Sequence, residues 1–337
     1  MSTWFWILLA VAALLILFVA MPIRRSLAAK NAAETAAPPI GEFLELPSGR
    51  LHYVDQGDGP PVVLVHGNGG TLRHFTHSVG APLSTDRRVV AIDRPGTGYS
   101  AVPPNGDHSL KAQARILKDA LDRLEISNPV LVGHSLGGSL ALRFALDYPN
   151  AAKALVLLAP ATRAFSSKPP FRDDAVTSAL ARKAIAWTIA IPAAVKAREE
   201  TLSAAFAPAI APDDFVLAGG GILTLRPGQI ETMLADTAAL QPSLEDQQER
   251  YGELTPPVTI LFGDTDGILE PAEHIDHLRA ALPELDVQMI EGGGHMLPIT
   301  APDAVVRAIR AAGLCCRRWR CRRRWSRRRR KLRHSAL

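Results

Sequence analysis

Short runs of Val, Ile and Leu, each closed by Gly, His, Asp or Pro, punctuate the middle of the chain. They are PVVLVHG (61–67), RVVAIDRPG (88–96), PVLVGH (129–134), ALVLLAPA (154–161), VTILFGD (258–264) and DVQMIEGGGH (286–295). Continuously apolar runs of this length are how strands read when helices cover both faces of a parallel sheet. Between them, SLKAQARILKDALDRLEI (109–126), SLALRFALDYP (139–149), EHIDHLRAALP (273–283) and APDAVVRAIRAAG (301–313) repeat apolar positions at three- and four-residue spacing, the period of an amphipathic helix. FLELPSG and RLHYVDQG (43–57) precede them and read as a hairpin. The alternation predicts an α/β fold with an open, mostly parallel sheet, whose ligands bind beyond the carboxyl ends of the strands.

One stretch breaks the rhythm. Residues 162–250 are rich in Ala and in helix-compatible repeats, with Pro at 169, 170, 192, 208 and 212 as expected breaks. A structureless loop of that length is foreign to a compact domain, so a helical insertion is expected, placed as a lid over the ligand crevice. Residues 43–161 and 251–313 are then the core. Within the insertion Phe165, Trp187 and Phe206 line a cavity or pack helices together, and packing is the safer expectation.

The two ends have patterns of their own. Residues 4–23 hold no charge for twenty positions, the length of a membrane-spanning helix. The leading MST has no Lys or Arg and the apolar run exceeds a signal peptide's core, so an uncleaved single-pass anchor is expected. Arg24, Arg25 and Lys30 follow it, which by the positive-inside rule puts the domain on the cytoplasmic side. Small, polar, Pro-containing residues 24–42 read as a linker. At the other end, residues 315–337 carry eleven Arg and one Lys and no acid. Without these the formal charge of +5 becomes −7, so the basic balance describes a tail (314–337) and not the domain. Its composition is that of an unstructured appendage, or of GC-rich codons out of frame, and no specific nucleic-acid site is expected. All three cysteines lie in it without nearby zinc partners, so the domain needs no disulfide and metal ligation is not expected. Nothing in the pattern sets an oligomeric state.

Chemistry enters at the strand ends. In GHSLGG (133–138), Ser135 stands between a strand and a helix with glycine at 133 and 137. It is either a helix N-cap or the nucleophile of a G-x-S-x-G elbow. A nucleophilic hydroxyl needs a base, and the base needs a carboxylate to hold its tautomer. His295 follows DVQMI, and Asp264 and Asp266 follow VTIL. HGNGG (66–70) follows VVLV, where an oxyanion-binding N–H is required; Asn68 is the expected second donor beside the Leu136 N–H. Asp93, closing a strand into a Gly-rich turn, reads as structural. GNGG and GTGYS lack the lysine of a phosphate loop. His66 is expected to order the oxyanion loop, His134 to pack beside the elbow or touch the lid, and His74 and His77 to lie on a surface helix without a role.

HGNGG, DRPGTGYS (93–100), GHSLGG, GDTDGI (263–268) and GGGH together resemble the α/β-hydrolase fold superfamily over roughly residues 43–313, in its lid-bearing group of esterases, lipases, iminopeptidases, C–C bond hydrolases and cofactor-free haloperoxidases. The resemblance implies an acyl-enzyme on Ser135 with His295 as general base. In that family the acid lies three residues after the glycine that closes its strand, which selects Asp266, with Asp264 as the alternative. It also implies no cofactor. The expected function is hydrolysis of a small, mostly apolar carboxylic ester at a membrane. Cleavage of a C–C bond, an N-terminal peptide bond or a thioester, or peroxyacid formation, are alternatives on the same residues. Glu199, Glu200, Asp213 and Asp214 are candidate receptors for a peptide ammonium, and a noncatalytic ligand-binding protein is the alternative of another class.

Overall fold

A computed structural model describes residues 3–103, 105–165 and 178–314, without the side chains of 12–16, 18 and 19. Most of the basic tail, and Pro169 and Pro170 of the insertion, lie outside the described residues.

The strands are β1 (Glu42–Leu46), β2 (Gly49–Gln56), β3 (Pro61–Val65), β4 (Arg88–Ile92), β5 (Val130–His134), β6 (Ala154–Leu158), β7 (Val258–Gly263) and β8 (Asp286–Ile290). Among the described residues they form one eight-stranded sheet in the order β1-β2-β4-β3-β5-β6-β7-β8. β1 pairs antiparallel with β2, and β2 with β4; every other pairing is parallel. The expected hairpin and parallel core are both present.

Why the strands read as unbroken apolar runs is visible in their two faces. On β3, Val63 and Val65 join one buried cluster while Val62 and Leu64 join the other; on β6, Leu155 and Leu157 oppose Ala154, Val156 and Leu158 in the same way. The period of two is intact, but helices bury both sides. Helices α4 (Leu110–Arg123), α5 (Leu136–Asp147) and α10 (Pro271–Ala281) cover the first face. The short helices α2 (Arg73–Thr76), α3 (Gly80–Ser84) and α11 (Leu297–Thr300), with α12 (Pro302–Leu314), cover the second. The chain leaves β3 toward β4 on one side and reaches β5 on the other, so the topological switch point, where such sheets bind ligands, lies between the ends of β3 and β5.

Between β6 and β7 lie α6 (Ala179–Thr188), α7 (Ala190–Lys196), α8 (Arg198–Phe206), a 3-10 turn (Gly221–Leu225) and α9 (Pro227–Gln248). The insertion is helical as expected, and Pro192 stands just after the break between Thr188 and Ala190 at which α6 gives way to α7. It occupies the first turn of α7, where a missing N–H costs no intrahelical bond.

The N-terminal region corrects one expectation. Helix α1 runs from Thr3 to Ala36, so most of the expected 24–42 linker is helix. Lys, Ala and Glu are good helix formers, and Pro38 and Pro39 halt the helix just beyond Ala36. Nor is it a free spacer. Ala33 and Ala37 are buried, Ser26 Oγ donates to the Trp187 carbonyl at 3.0 Å, and Arg226 Nε donates to Glu34 Oε1 at 2.9 Å. Tyr99 Oη donates to the Ala37 carbonyl at 2.6 Å. Among the described residues no helix is long and apolar enough to cross a membrane. The expected span over 4–23 includes seven positions whose side chains lie outside the described ones.

Candidate active site

Ser135 is the residue at which β5 becomes α5. Its backbone has φ 52° and ψ −120°, a region that L-residues avoid, and its side chain caps nothing in the helix that follows. An N-cap role, which needs an extended backbone and a side-chain bond to the first turn, is therefore absent. The backbone is held by Ser135 N–H donating to the Leu158 carbonyl of β6 at 2.8 Å. Glycines make so sharp a turn feasible: a Cβ on Gly133 would lie 2.2 Å from the Gly137 carbonyl oxygen, and one on Gly137 would lie 2.3 Å from that of Val65.

His295 and Asp266 meet from separate strand ends. His295 Nδ1 lies 2.8 Å from Asp266 Oδ2, and both residues are buried. The other carboxylate oxygen, Oδ1, accepts from the N–H groups of Ile268 at 2.8 Å and Leu269 at 3.0 Å. A carboxylate tied down on one oxygen offers the other in a fixed direction, which suits it to orient an imidazole. Asp264 is exposed, with its N–H on the Ile290 carbonyl. The backbone of the histidine loop is held by His134, whose Nε2 donates to the His295 carbonyl at 3.0 Å, the two rings being 5.0 Å apart. His134 thus touches the histidine loop from beside the elbow.

The HGNGG loop closes the third side. A Cβ on Gly67 would sit 3.0 Å from that of Ser135, so this backbone borders the serine directly. The Asn68 amide donates to Thr237 Oγ1 at 2.8 Å and to the Met233 carbonyl at 3.3 Å, both on α9, leaving its backbone N–H as the group to offer an oxyanion. Leu136 N–H, at the first position of α5, has no intrahelical acceptor. His66 is fully buried: its Nε2 accepts the Arg94 N–H at 3.0 Å, which places the proton on Nδ1, donating to the Gly67 carbonyl at 2.8 Å. Arg94, which the sequence reading passed over, is also fully buried. It donates through Nε to the His66 carbonyl (3.1 Å), through Nη2 to the Gly67 carbonyl (3.1 Å), and through Nη1 to Asp236 Oδ2 of α9 (2.7 Å). Its one sequence signal is a cation set against Asp93 at a strand end. Asp93 itself is structural, accepting from the N–H groups of Leu72 (2.7 Å) and Tyr99 (2.9 Å) and contacting His52 Nδ1 (2.6 Å).

The remaining candidates pack or lie on the surface, Phe206 and His74 doing so beside the His295 and HGNGG loops. Phe206 packs with Phe215, Met296 and Ile299; Trp187 packs beside Ile191, Ile230 and Ala29; Phe165 lies against the main core. Glu199, Glu200, Asp213 and Asp214 are all exposed, and Asp214 meets His77 at 3.0 Å, so they form no buried receptor for an ammonium. His74 is not on an open surface; its ring lies 5.4 Å from Phe215 of the insertion. Among the described residues no group of three or more His, Cys, Asp or Glu side chains could hold a metal ion.

Four histidines give this region a pH signature. Burial pushes His66 and His134 well below the usual imidazole value and His74 and His274 down to about 4. His274 Nδ1 accepts the Thr162 N–H at 3.1 Å, so this ring too is held neutral. Below about pH 6.5 the unfolded chain takes up protons that the folded chain refuses. The stability these rings confer is thus complete above pH 6.5 and is lost as pH falls toward 4. The urea midpoint should be lower at pH 5 than at pH 7.5; an unchanged midpoint would contradict neutral burial.

Comparison with known proteins gives a consistent family. A profile described as alpha/beta hydrolase fold matches residues 60–302. A putative carbamate hydrolase of Pseudomonas savastanoi is 30% identical over 260 residues, 75% of this chain and 93% of that protein. Haloalkane dehalogenase 2 of Mycobacterium bovis is 28% identical over 272 residues, 77% of this chain and 90% of that protein. The crystal structure of an alpha/beta hydrolase fold protein from Burkholderia ambifaria superposes with a TM-score of 0.68 at 25% identity, covering 80% of this chain and 96% of that one.

Proposed function

Because the chain belongs to the α/β-hydrolase fold family, we propose that it is a membrane-anchored serine hydrolase of carboxylic esters, working through an acyl-enzyme on Ser135. The observation that carries this reading is the His295–Asp266 hydrogen bond of 2.8 Å, which His134 ties to the elbow where Ser135 stands in its strained turn. With Asp266 on Nδ1–H, His295 has Nε2 free to take the Ser135 proton as Oγ attacks the ester carbonyl. The N–H groups of Leu136 and Asn68 receive the charge on the carbonyl oxygen. The tetrahedral species expels the alcohol, protonated by His295, and water then repeats the sequence on the acyl-serine.

The relatives' names span carbamates and haloalkanes, and the serine discriminates between them. Halide displacement by Ser135 Oγ would leave an ether, which has no carbonyl for water to attack, and turnover would stop. An acyl-serine is hydrolysable, so acyl substrates suit this residue. Membrane attachment is supported by the uncharged stretch 4–23 and by the exposure of Trp4, Trp6 and Leu8 on α1, and the helical insertion beside the crevice suits a lid.

Labelling with a fluorophosphonate probe tests the reading. Wild type should label and Ser135→Ala should not; equal labelling, or none in either protein, sinks it, the latter favouring a ligand-binding protein. A series of acyl esters then ranks substrates.

A further inference from the structure

We propose that Arg94 is the positioning residue of the oxyanion loop, held in place by Asp236 of the helical insertion. The inference rests on the reading of Ser135 as nucleophile and of the Asn68 N–H as an oxyanion donor. In a trans peptide the C=O and the following N–H point in opposite directions, so fixing the Gly67 carbonyl fixes the Asn68 N–H. That carbonyl accepts from Arg94 Nη2 at 3.1 Å and His66 Nδ1 at 2.8 Å, with the Gly70 N–H further off at 3.3 Å. Arg94 Nε grips the preceding carbonyl, that of His66, at 3.1 Å. The fork therefore clamps two successive peptide planes on the buried side and turns the Asn68 N–H the other way. A planar fork with fixed donors can do this; a single ammonium cannot. A cation behind the peptide also polarises it, which strengthens the N–H as a donor to developing negative charge.

The clamp is itself anchored from the insertion. Arg94 Nη1 donates to Asp236 Oδ2 and to Gln113 Oε1 (2.9 Å), and Asp236 Oδ1 contacts His108 Nδ1 at 3.0 Å. On the same face of α9, at helical spacing, Gln229 Nε2 donates to the Gly70 carbonyl at 3.0 Å, and Met233 and Thr237 hold the Asn68 amide. One stripe of α9 thus splints the whole HGNGG loop. Insertion and oxyanion donor are coupled through a salt bridge whose two side chains are fully buried.

Removing one partner of a buried pair leaves a stranded charge, so the test removes both: Arg94→Met with Asp236→Leu, an apolar replacement of similar volume that buried pairs often tolerate. Active sites are counted by end-point fluorophosphonate labelling. The folded double variant should show kcat down about 10- to 100-fold, with KM within about threefold, because the interaction lost belongs to the transition state. The inhibition constant of a trifluoromethyl ketone, which forms the charged tetrahedral adduct, should rise in parallel. Arg94→Lys, which keeps the charge opposite Asp236 but loses the fork, should lose about tenfold in kcat. Unchanged kcat and ketone affinity in either folded variant would overturn the inference and reduce the pair to a structural tie. Hydrolysis that survives Ser135→Ala overturns the nucleophile reading, and this inference with it. Hydrolysis lost in Ser135→Ala but intact in the double variant overturns this inference alone.

Discussion

Ser135→Gly is expected to lower kcat by about six orders of magnitude, as loss of a serine nucleophile does, and to make the protein more stable by about 1 kcal/mol. The first effect follows from removing the hydroxyl proposed to attack. The second follows from the backbone. A non-glycine residue at φ 52° and ψ −120° costs about 1–3 kcal/mol of strain, which glycine does not incur. Against this stands the extra freedom glycine brings to the unfolded chain, about 0.4–1 kcal/mol. The difference favours the variant by about 1 kcal/mol, or about 2 °C in Tm for a domain of this size. Ser135→Ala, which keeps the Cβ and hence the strain, is the control: it should lose the same activity without the gain. Calorimetry on the two variants decides it. A Ser135→Gly protein less stable than wild type would mean that the serine hydroxyl, and not the turn, governs the local energy.

The coupling of strain to function explains why so much of the candidate site could be read before the fold was known. HGNGG, GHSLGG, GDTDGI and GGGH each sit where an apolar run stops, and a parallel sheet gathers those ends along one edge. The glycines mark close approaches such as that of Gly137 to Val65, so the pattern carries geometry as well as composition. Two parts stayed hidden. The small, polar residues 24–42 read as linker, yet 24–36 form helix once Ser26, Ala29 and Glu34 find partners on the insertion. Arg94 and Asp236 are 142 residues apart, and nothing local marks an aspartate on a long helix as the counter-ion of a turn arginine. Pairings across an insertion are set by tertiary packing, which a hydrophobic pattern does not encode. The face of α9 carrying Gln229, Met233, Asp236 and Thr237 shows a helical period, but of mixed polar residues, where a search for apolar stripes finds no signal.

The second large effect concerns that same economy of fixed hydrogen bonds. Asp266→Asn should leave the protein folded, lower kcat by about 10⁴-fold and leave KM nearly unchanged. Oδ1 of Asp266 accepts two backbone N–H groups, from Ile268 and Leu269, and only an oxygen can do so. An asparagine in this place therefore keeps its oxygen on those donors and turns its NH₂ toward His295 Nδ1. Nδ1 must then accept, the imidazole proton moves to Nε2, and the ring can no longer take a proton from Ser135. The substitution is nearly isosteric, so the defect lies in the tautomer and not in packing. Asp264→Asn, altering an exposed side chain, should stay within about twofold, since surface changes away from a network have small effects. Steady-state kinetics per labelled site, with circular dichroism as a check on folding, compares the two. Asp266→Asn retaining more than a tenth of wild-type kcat would show that another group holds His295, and a large loss in Asp264→Asn would name it.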